Sequence, residues 1–204
     1  MPTPDAWLQP VTLRSEAACL VPLDASHHDD LLDAIHDGDL SALWYTHVPK
    51  PADLHGEIER RLDAYRARQM LPFTVIEPHS GRAVGMTTFM HVDERNRRVE
   101  IGGTWYRRAV QRSALNTSCK LLLLTHAFEV LDCIAVELRT HFFNQQSRRA
   151  IERLGAKLDG VLRNHQRAGN GTLRDTCVYS IIHSEWPTVQ AHLMHQLSRP
   201  RGNT

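Results

Sequence analysis

Apolar positions along this chain recur with two periods, one near two residues and one near 3.6, and the switches between them mark the elements. Residues 1–16 mix Pro, Trp7, Val11 and Leu13 and lead into a strand near 19–23. Asp24, Ala25 and Ser26 then supply cap chemistry for a helix carrying Leu31, Leu32 and Ile35 on one face, and Gly38 stops it. A short apolar piece over 40–45 is followed by His47-Val48-Pro49-Lys50-Pro51, which breaks the chain before a second helix over 52–69. Strand patterns over 72–76 and 83–91 flank the turn Glu77-Pro78-His79-Ser80-Gly81-Arg82, and a polar turn over 93–97 leads to a strand over 99–106. A leucine-rich helix over 114–131 crosses back to a parallel strand over 135–140, so parallel and antiparallel strands meet in one sheet. A helix over 145–154 ends at Gly155, strands over 159–166 and 173–182 flank the hairpin turn Gly169-Asn170-Gly171, and a terminal helix carries Val189, Leu193 and Leu197. The stretch 199–204 is expected to fray.

The centre of this pattern is Gln111-Arg112-Ser113-Ala114-Leu115-Asn116-Thr117, a loop opening directly into a helix. Such a junction offers unpaired backbone N–H groups and the positive end of the helix dipole, and its natural ligand is an anion such as a pyrophosphate. Arg107, Arg108 and Arg112 around it suit phosphate neutralisation or a solvated face equally. The paired glycines Gly102 and Gly103 suit a β-bulge, or relief of crowding against a neighbouring helix.

The order of signals then becomes specific. Glu100-Ile101-Gly102, the loop Gln111-x-x-Ala114-x-Asn116-Thr117, Asn144-x-x-Ser147 and Arg153-Leu154-Gly155-Ala156 together resemble the Gcn5-related N-acetyltransferase (GNAT) superfamily, and within it the branch of ribosomal-protein alanine and serine N-terminal acetyltransferases. The family loop has glycine or another small residue where this chain has Ala114 and Asn116. The resemblance implies an α/β (α+β) acyl-CoA N-acyltransferase fold in one domain over 1–204, with a mixed sheet of about seven strands and flanking helices. It implies acetyl transfer from acetyl-CoA to a primary amine, either a protein N-terminus or a small molecule.

Under the same resemblance, CoA contacts fall on Trp105, Arg107, Gln111, Arg112, Ser113, Ala114, Leu115, Asn116, Thr117, Asn144 and Ser147. The Ser147 hydroxyl would protonate the leaving thiolate, while Asn144 and Ser147 also read as an ordinary helix cap and first turn. Glu100 is the candidate general base, directly or through a water; it reads equally as an exposed strand charge paired with Arg97 or Arg98. The relatives' glutamate on the sixth strand is matched here by Gln166, which accepts no proton at neutral pH, and His165 and His141 stand in reserve. Missing that glutamate, the same fold could serve as a non-catalytic CoA sensor. Trp44, Tyr45 and His47 are candidate acceptor contacts or packing residues. A P-loop nucleotide binder lacks the required Gly-Lys-Ser/Thr.

Composition changes this picture little. The 204 residues carry a formal net charge of +1, so no charge excess points to nucleic acid or to an anionic membrane. Thirteen histidines would make the protein cationic in mild acid. Cys19, Cys119, Cys133 and Cys177 are scattered, without the spacing of a zinc site, and are read as buried reduced thiols. No apolar stretch approaches the ~20 residues of a membrane span, and a cytoplasmic protein is expected, with a homodimer as the default assembly.

Overall fold

The computed structural model describes residues 6–199 except Asp39 and His47. The proposed acceptor contact at His47 and the tail beyond Arg199 lie outside the described residues. Among these, eight strands form one sheet in the order β1-β2-β3-β4-β5-β6-β8-β7. They are β1 (Leu13–Arg14), β2 (Cys19–Pro22), β3 (Met70–Ile76), β4 (Ala83–Asp93), β5 (Arg98–Tyr106), β6 (Ala135–His141), β7 (Lys157–Arg167) and β8 (Leu173–Ile182). The strand beyond the seven expected is β1, two residues that pair with Leu20 and Cys19. Only β5 and β6 run parallel, as the intervening crossover requires.

Five α-helices cover the sheet: α1 (His28–His36), α2 (Leu54–Arg66), α3 (Leu115–Thr125), α4 (Gln145–Arg153) and α5 (Trp186–Ser198). Asp24 accepts a hydrogen bond from Ser26 N at 2.9 Å and starts the turn before α1. Gly38, at φ +106°, ends that helical segment in a conformation a side chain resists. α3 continues into a π-helical turn, His126–Val130, so the leucine-rich segment runs as far as its sequence pattern indicates.

The period-2 and period-3.6 faces meet in two cores. Leu115, Cys119 and Leu123 of α3, Ile151 of α4, and Val189 and Leu193 of α5 pack with Phe73, Phe89, Val99, Ile101, Val136 and Tyr179 on one face of the sheet. Leu31 and Ile35 of α1, Leu54 and Ile58 of α2, and Met86 and Trp105 form the second core on the opposite face. All four cysteines are buried free thiols, and burial pushes Cys119 and Cys133 up to about 12. Among the described residues no helix is long and apolar enough to cross a membrane.

Candidate active site

The parallel pair β5 and β6 is joined over a short length and then parts. Arg98, Val99 and Glu100 pair with Ala135, Val136 and Glu137, and beyond them β5 continues to Tyr106 and β6 to His141 without pairing each other. The physical cause lies in β5. Its register against β4 runs from Met86 opposite Trp105 to Thr88 opposite Gly102, which leaves one extra residue on β5. Gly103 there has φ +58°, open to glycine at no steric cost, so the glycine pair marks a bulge that bends β5 away from its neighbour. A Cβ on Gly103 would meet Arg61 of the neighbouring helix α2 at 3.1 Å, and one on Gly102 would lie 2.6 Å from Met90 Sδ and 2.8 Å from Glu100 Oε1 within the sheet, so relief of crowding also operates.

Two buried cations grip this bulge from opposite faces. From α2, Arg61 donates to Thr88 Oγ1 at 2.8 Å and to Gly103 O at 3.2 Å, and is paired with Glu57 at 2.7 Å. From α3, Lys120 Nζ donates to Thr104 Oγ1 at 2.8 Å, and Thr104 shares a 2.8 Å hydrogen bond with Thr87. Burial pulls the Lys120 ammonium down to about 8.

At the point where the strands part, an open pocket of about 180 Å³ is lined by His91, Asp93, Arg98, Val99, Glu100, Glu137 and Arg139. Glu100 is buried, 6% exposed, and its Oε2 lies 2.8 Å from His91 Nδ1 and 3.3 Å from Arg139 Nε. The pairing with Arg97 or Arg98 is therefore corrected. Arg98 donates to Glu137 at 2.7 Å, Arg97 pairs with Asp132, and Glu100 sits inside the pocket as an ion-paired carboxylate. Arg98 and Arg139 hold the Glu137 carboxylate below its usual range against the opposing effect of burial.

The loop after β5 ends at a helix start with donors to offer. Ser118 N makes the first α-helical bond, to Ala114 O at 2.9 Å, so the N–H groups before it lie outside the helical ladder. Arg112 holds φ +61°, and Ala114 stands at φ −66°, so the methyl group does not obstruct a backbone approach. Ser113 Oγ donates to Val110 O at 2.6 Å and accepts from Leu115 N at 3.2 Å. On the other side of the gap, Asn144 caps α4, its Oδ1 accepting from Ser147 N at 3.0 Å.

A family model described as an acetyltransferase (GNAT) domain matches residues 18–157. The chain belongs to the GNAT acetyltransferase family. It is similar to YdaF of Bacillus subtilis (strain 168), a candidate ribosomal N-acetyltransferase, with 29% identity over 71% of this chain and 78% of that protein. A solved GCN5-related N-acetyltransferase from Brucella melitensis superposes with a TM-score of 0.83 at 28% identity, covering 93% of this chain and 86% of the other. The Mycobacterium smegmatis RimJ structure, in complex with CoA-disulfide, has a TM-score of 0.77 at 20% identity, over 95% and 97% of the two chains. At that identity the likeness is one of fold.

In this GNAT chain the expected cofactor contacts divide into three groups. Leu115 and Thr117 bury their side chains, and since Leu115 N already donates to Ser113 Oγ, it is Thr117 of the two that would meet a ligand through its backbone N–H, whereas Ala114 and Asn116 are half-buried. Trp105 turns its indole into the α1–α2 core, so it too faces the gap through its backbone. Gln111 and Arg107 are engaged elsewhere: Gln111 Nε2 donates to Tyr106 O at 2.9 Å, and Arg107 Nε pairs with Asp37 Oδ2 at 2.7 Å. Both brace the loop. The Arg107 and Ala109 donors hold the Asp37 carboxyl below its usual range.

The reserve bases are held in their own contacts. His165 Nδ1 lies 3.1 Å from Thr176 Oγ1. His141 Nδ1 accepts from Phe143 N at 3.1 Å, and its ring sits among Trp44, Tyr45 and Phe143. His91, Arg139, Arg61 and Lys120 are the site residues that the sequence reading missed. Each also meets a partner from another element, and the local signal that bears on them is the i, i+4 pair of Glu57 and Arg61 on α2.

Proposed function

We propose that this acetyltransferase moves an acetyl group from acetyl-CoA to a primary amine, at a peptide or protein N-terminus or on a small molecule, by direct attack of the amine. The observation that carries the reading is the parting of β5 from β6 beside the buried Glu100, with a donor-rich helix start at the far end of β5. The residues present fit the group: a slot between strands for a narrow arm, N–H groups ahead of the α3 ladder for a pyrophosphate, and Arg112 at the loop for added charge. When bound, acetyl-CoA supplies the activated acetyl thioester.

The chain's own residues divide the remaining work. Backbone N–H groups over 113–117, apart from that of Leu115, which Ser113 Oγ takes, and the dipole of α3 hold the anionic end, and the backbone of Trp105 and Arg107 borders the slot. Asn144 orients the first turn of α4 and so aims Ser147 across the gap, where its hydroxyl gives a proton to the departing thiolate. Glu100 drives removal of the ammonium proton.

One observation favours a second reading, a CoA-binding sensor without turnover. On β7, the position where the resemblance places a glutamate holds an exposed Gln166. Two measurements test both readings. CoA and acetyl-CoA should raise the melting temperature, and pantetheine without the pyrophosphate should do so much less; equal shifts, or none with CoA, would remove the cofactor assignment. Thiol release from acetyl-CoA across a panel of amines separates enzyme from sensor, since tight CoA binding with no release supports the sensor.

A further inference from the structure

His91 occupies a position that a regular strand would not give it. Met90 pairs with Glu100, and side chains alternate along a strand, so His91 should point to the opposite face from Glu100. The next pair is Asp93 with Arg98, which places one extra residue on β4 between the two pairs. His91 takes φ +47° there, a conformation non-glycine residues seldom adopt, and its Nδ1 comes 2.8 Å from Glu100 Oε2 at the edge of the pocket. A strained residue held at a cleft by a buried carboxylate is a feature that ordinary strand packing does not need.

We propose that His91 is the catalytic base of the acetyl transfer and that Glu100 is the positioning residue behind it; this rests on the acetyltransferase reading given above. A carboxylate only accepts, so the hydrogen bond places the imidazole proton on Nδ1 and leaves the Nε2 lone pair at the far edge of the ring. Glu100 is poorly suited to act alone: it is buried, and Oε2 is already shared between His91 and Arg139.

In the step, Nε2 of neutral His91 takes one proton from R–NH3+, and the resulting imidazolium is stabilised by Glu100. The amine nitrogen forms a bond to the thioester carbonyl carbon, and the carbon–sulfur bond breaks with its electron pair going to sulfur. The second N–H proton passes to that thiolate by way of Ser147, and His91 returns its proton to solvent. The products are the amide, CoA thiol and one proton. The charged groups that face the imidazole are Asp93 on β4, Arg98 and Glu100 on β5, and Glu137 and Arg139 on β6, and Glu100 in turn interacts electrostatically with Arg174 on β8.

Two measurements on the full chain test this. Long-range proton–nitrogen spectra of the 15N-labelled protein, with His91 identified by its loss in His91→Gln, should show neutral His91 as the Nδ1–H tautomer. In Glu100→Ala it should revert to the Nε2–H form that free imidazole prefers. An Nε2–H tautomer in the wild type would overturn the proposal. The second measurement is turnover with acetyl-CoA and peptides bearing amino-terminal Ala or Ser, together with small primary amines. His91→Gln should keep its melting-temperature response to CoA while kcat/KM falls about 100-fold at pH 7, the deficit shrinking above pH ~8, where an α-amine deprotonates unaided. If the wild type turns over and His91→Gln matches its rate and pH profile, the base assignment fails alone; if the wild type turns over no acceptor, the acetyl-transfer reading fails and takes the assignment with it.

Discussion

The two sides of the β5 bulge solve one problem in different ways. Both hold the bulge with a cation that is about nine-tenths or more buried, Arg61 from α2 and Lys120 from α3. Arg61 has a counter-ion, Glu57, and a guanidinium fork that spreads its donors over Glu57, Thr88 and Gly103. Lys120 donates to a hydroxyl, and among the described residues no carboxylate pairs with it. Burial acts against the charged form at both sites, and Glu57 works against that effect at Arg61. The difference teaches that a delocalised, forked cation can be kept charged under a strand by one acid, while a point charge without an acid is driven toward its neutral form.

Substitutions at Arg61 and Lys120 break or sharpen that comparison, and two more probe the gap beyond it. The largest effect is expected from Arg61→Ala, which leaves Glu57 without its buried partner and Gly103 O without its donor. Stability should fall by about 3 kcal/mol or more in urea unfolding, and Arg61→Lys should recover only part of it.

Lys120→Met should act in the opposite direction. Folding lowers the Lys120 pKa from 10.5 to about 8, so between those values the unfolded chain binds the extra proton. Wild-type stability therefore gains a component that rises with pH from about 8 to 10.5, and below pH 8 the folded state carries the whole penalty. The Met variant should lose that slope and gain up to about 3 kcal/mol at pH 7. Unfolding curves at pH 7 and pH 9.5 for both proteins check it, and an unchanged slope would show that Lys120 is not the titrating group.

Away from the bulge, Ser147→Ala tests the opposite wall of the gap. It should lower kcat about 100-fold while leaving CoA affinity nearly unchanged, and a loss of CoA binding with turnover kept at saturation would reduce Ser147 to a cap residue. The smallest effect is expected at the loop. Ala114→Ile adds bulk at the loop proposed to hold the pyrophosphate and should weaken CoA by about tenfold, read by calorimetry.

Much of this architecture was legible because local chemistry and tertiary context agree in it. The alternating strands, the Asp24 start, the Gly38 stop and the Asn144 cap each follow from one residue's own preferences, and the ordered motifs placed the chain in its family. Less was legible at the site, where side chains answer to partners far along the chain. Arg107 and Gln111 sit at the candidate phosphate loop by sequence, yet the nearness of Asp37 and of the Tyr106 carbonyl turned them into braces. Glu100 read equally as a candidate base and as a strand charge with Arg97 or Arg98 beside it, but those arginines found Asp132 and Glu137 across the fold.

By itself the sequence determined the order of the elements, the mixed sheet, the loop that opens α3 and the glycine pair at which β5 bends, because each rests on periodicity or on a backbone preference carried by the residue itself. Tertiary structure alone decided which charges lie buried, where β5 leaves β6, and that His91 faces Glu100. A single extra residue in a strand reverses the face of every side chain after it, and whether such a residue is accommodated depends on the neighbouring strand, which local sequence does not contain.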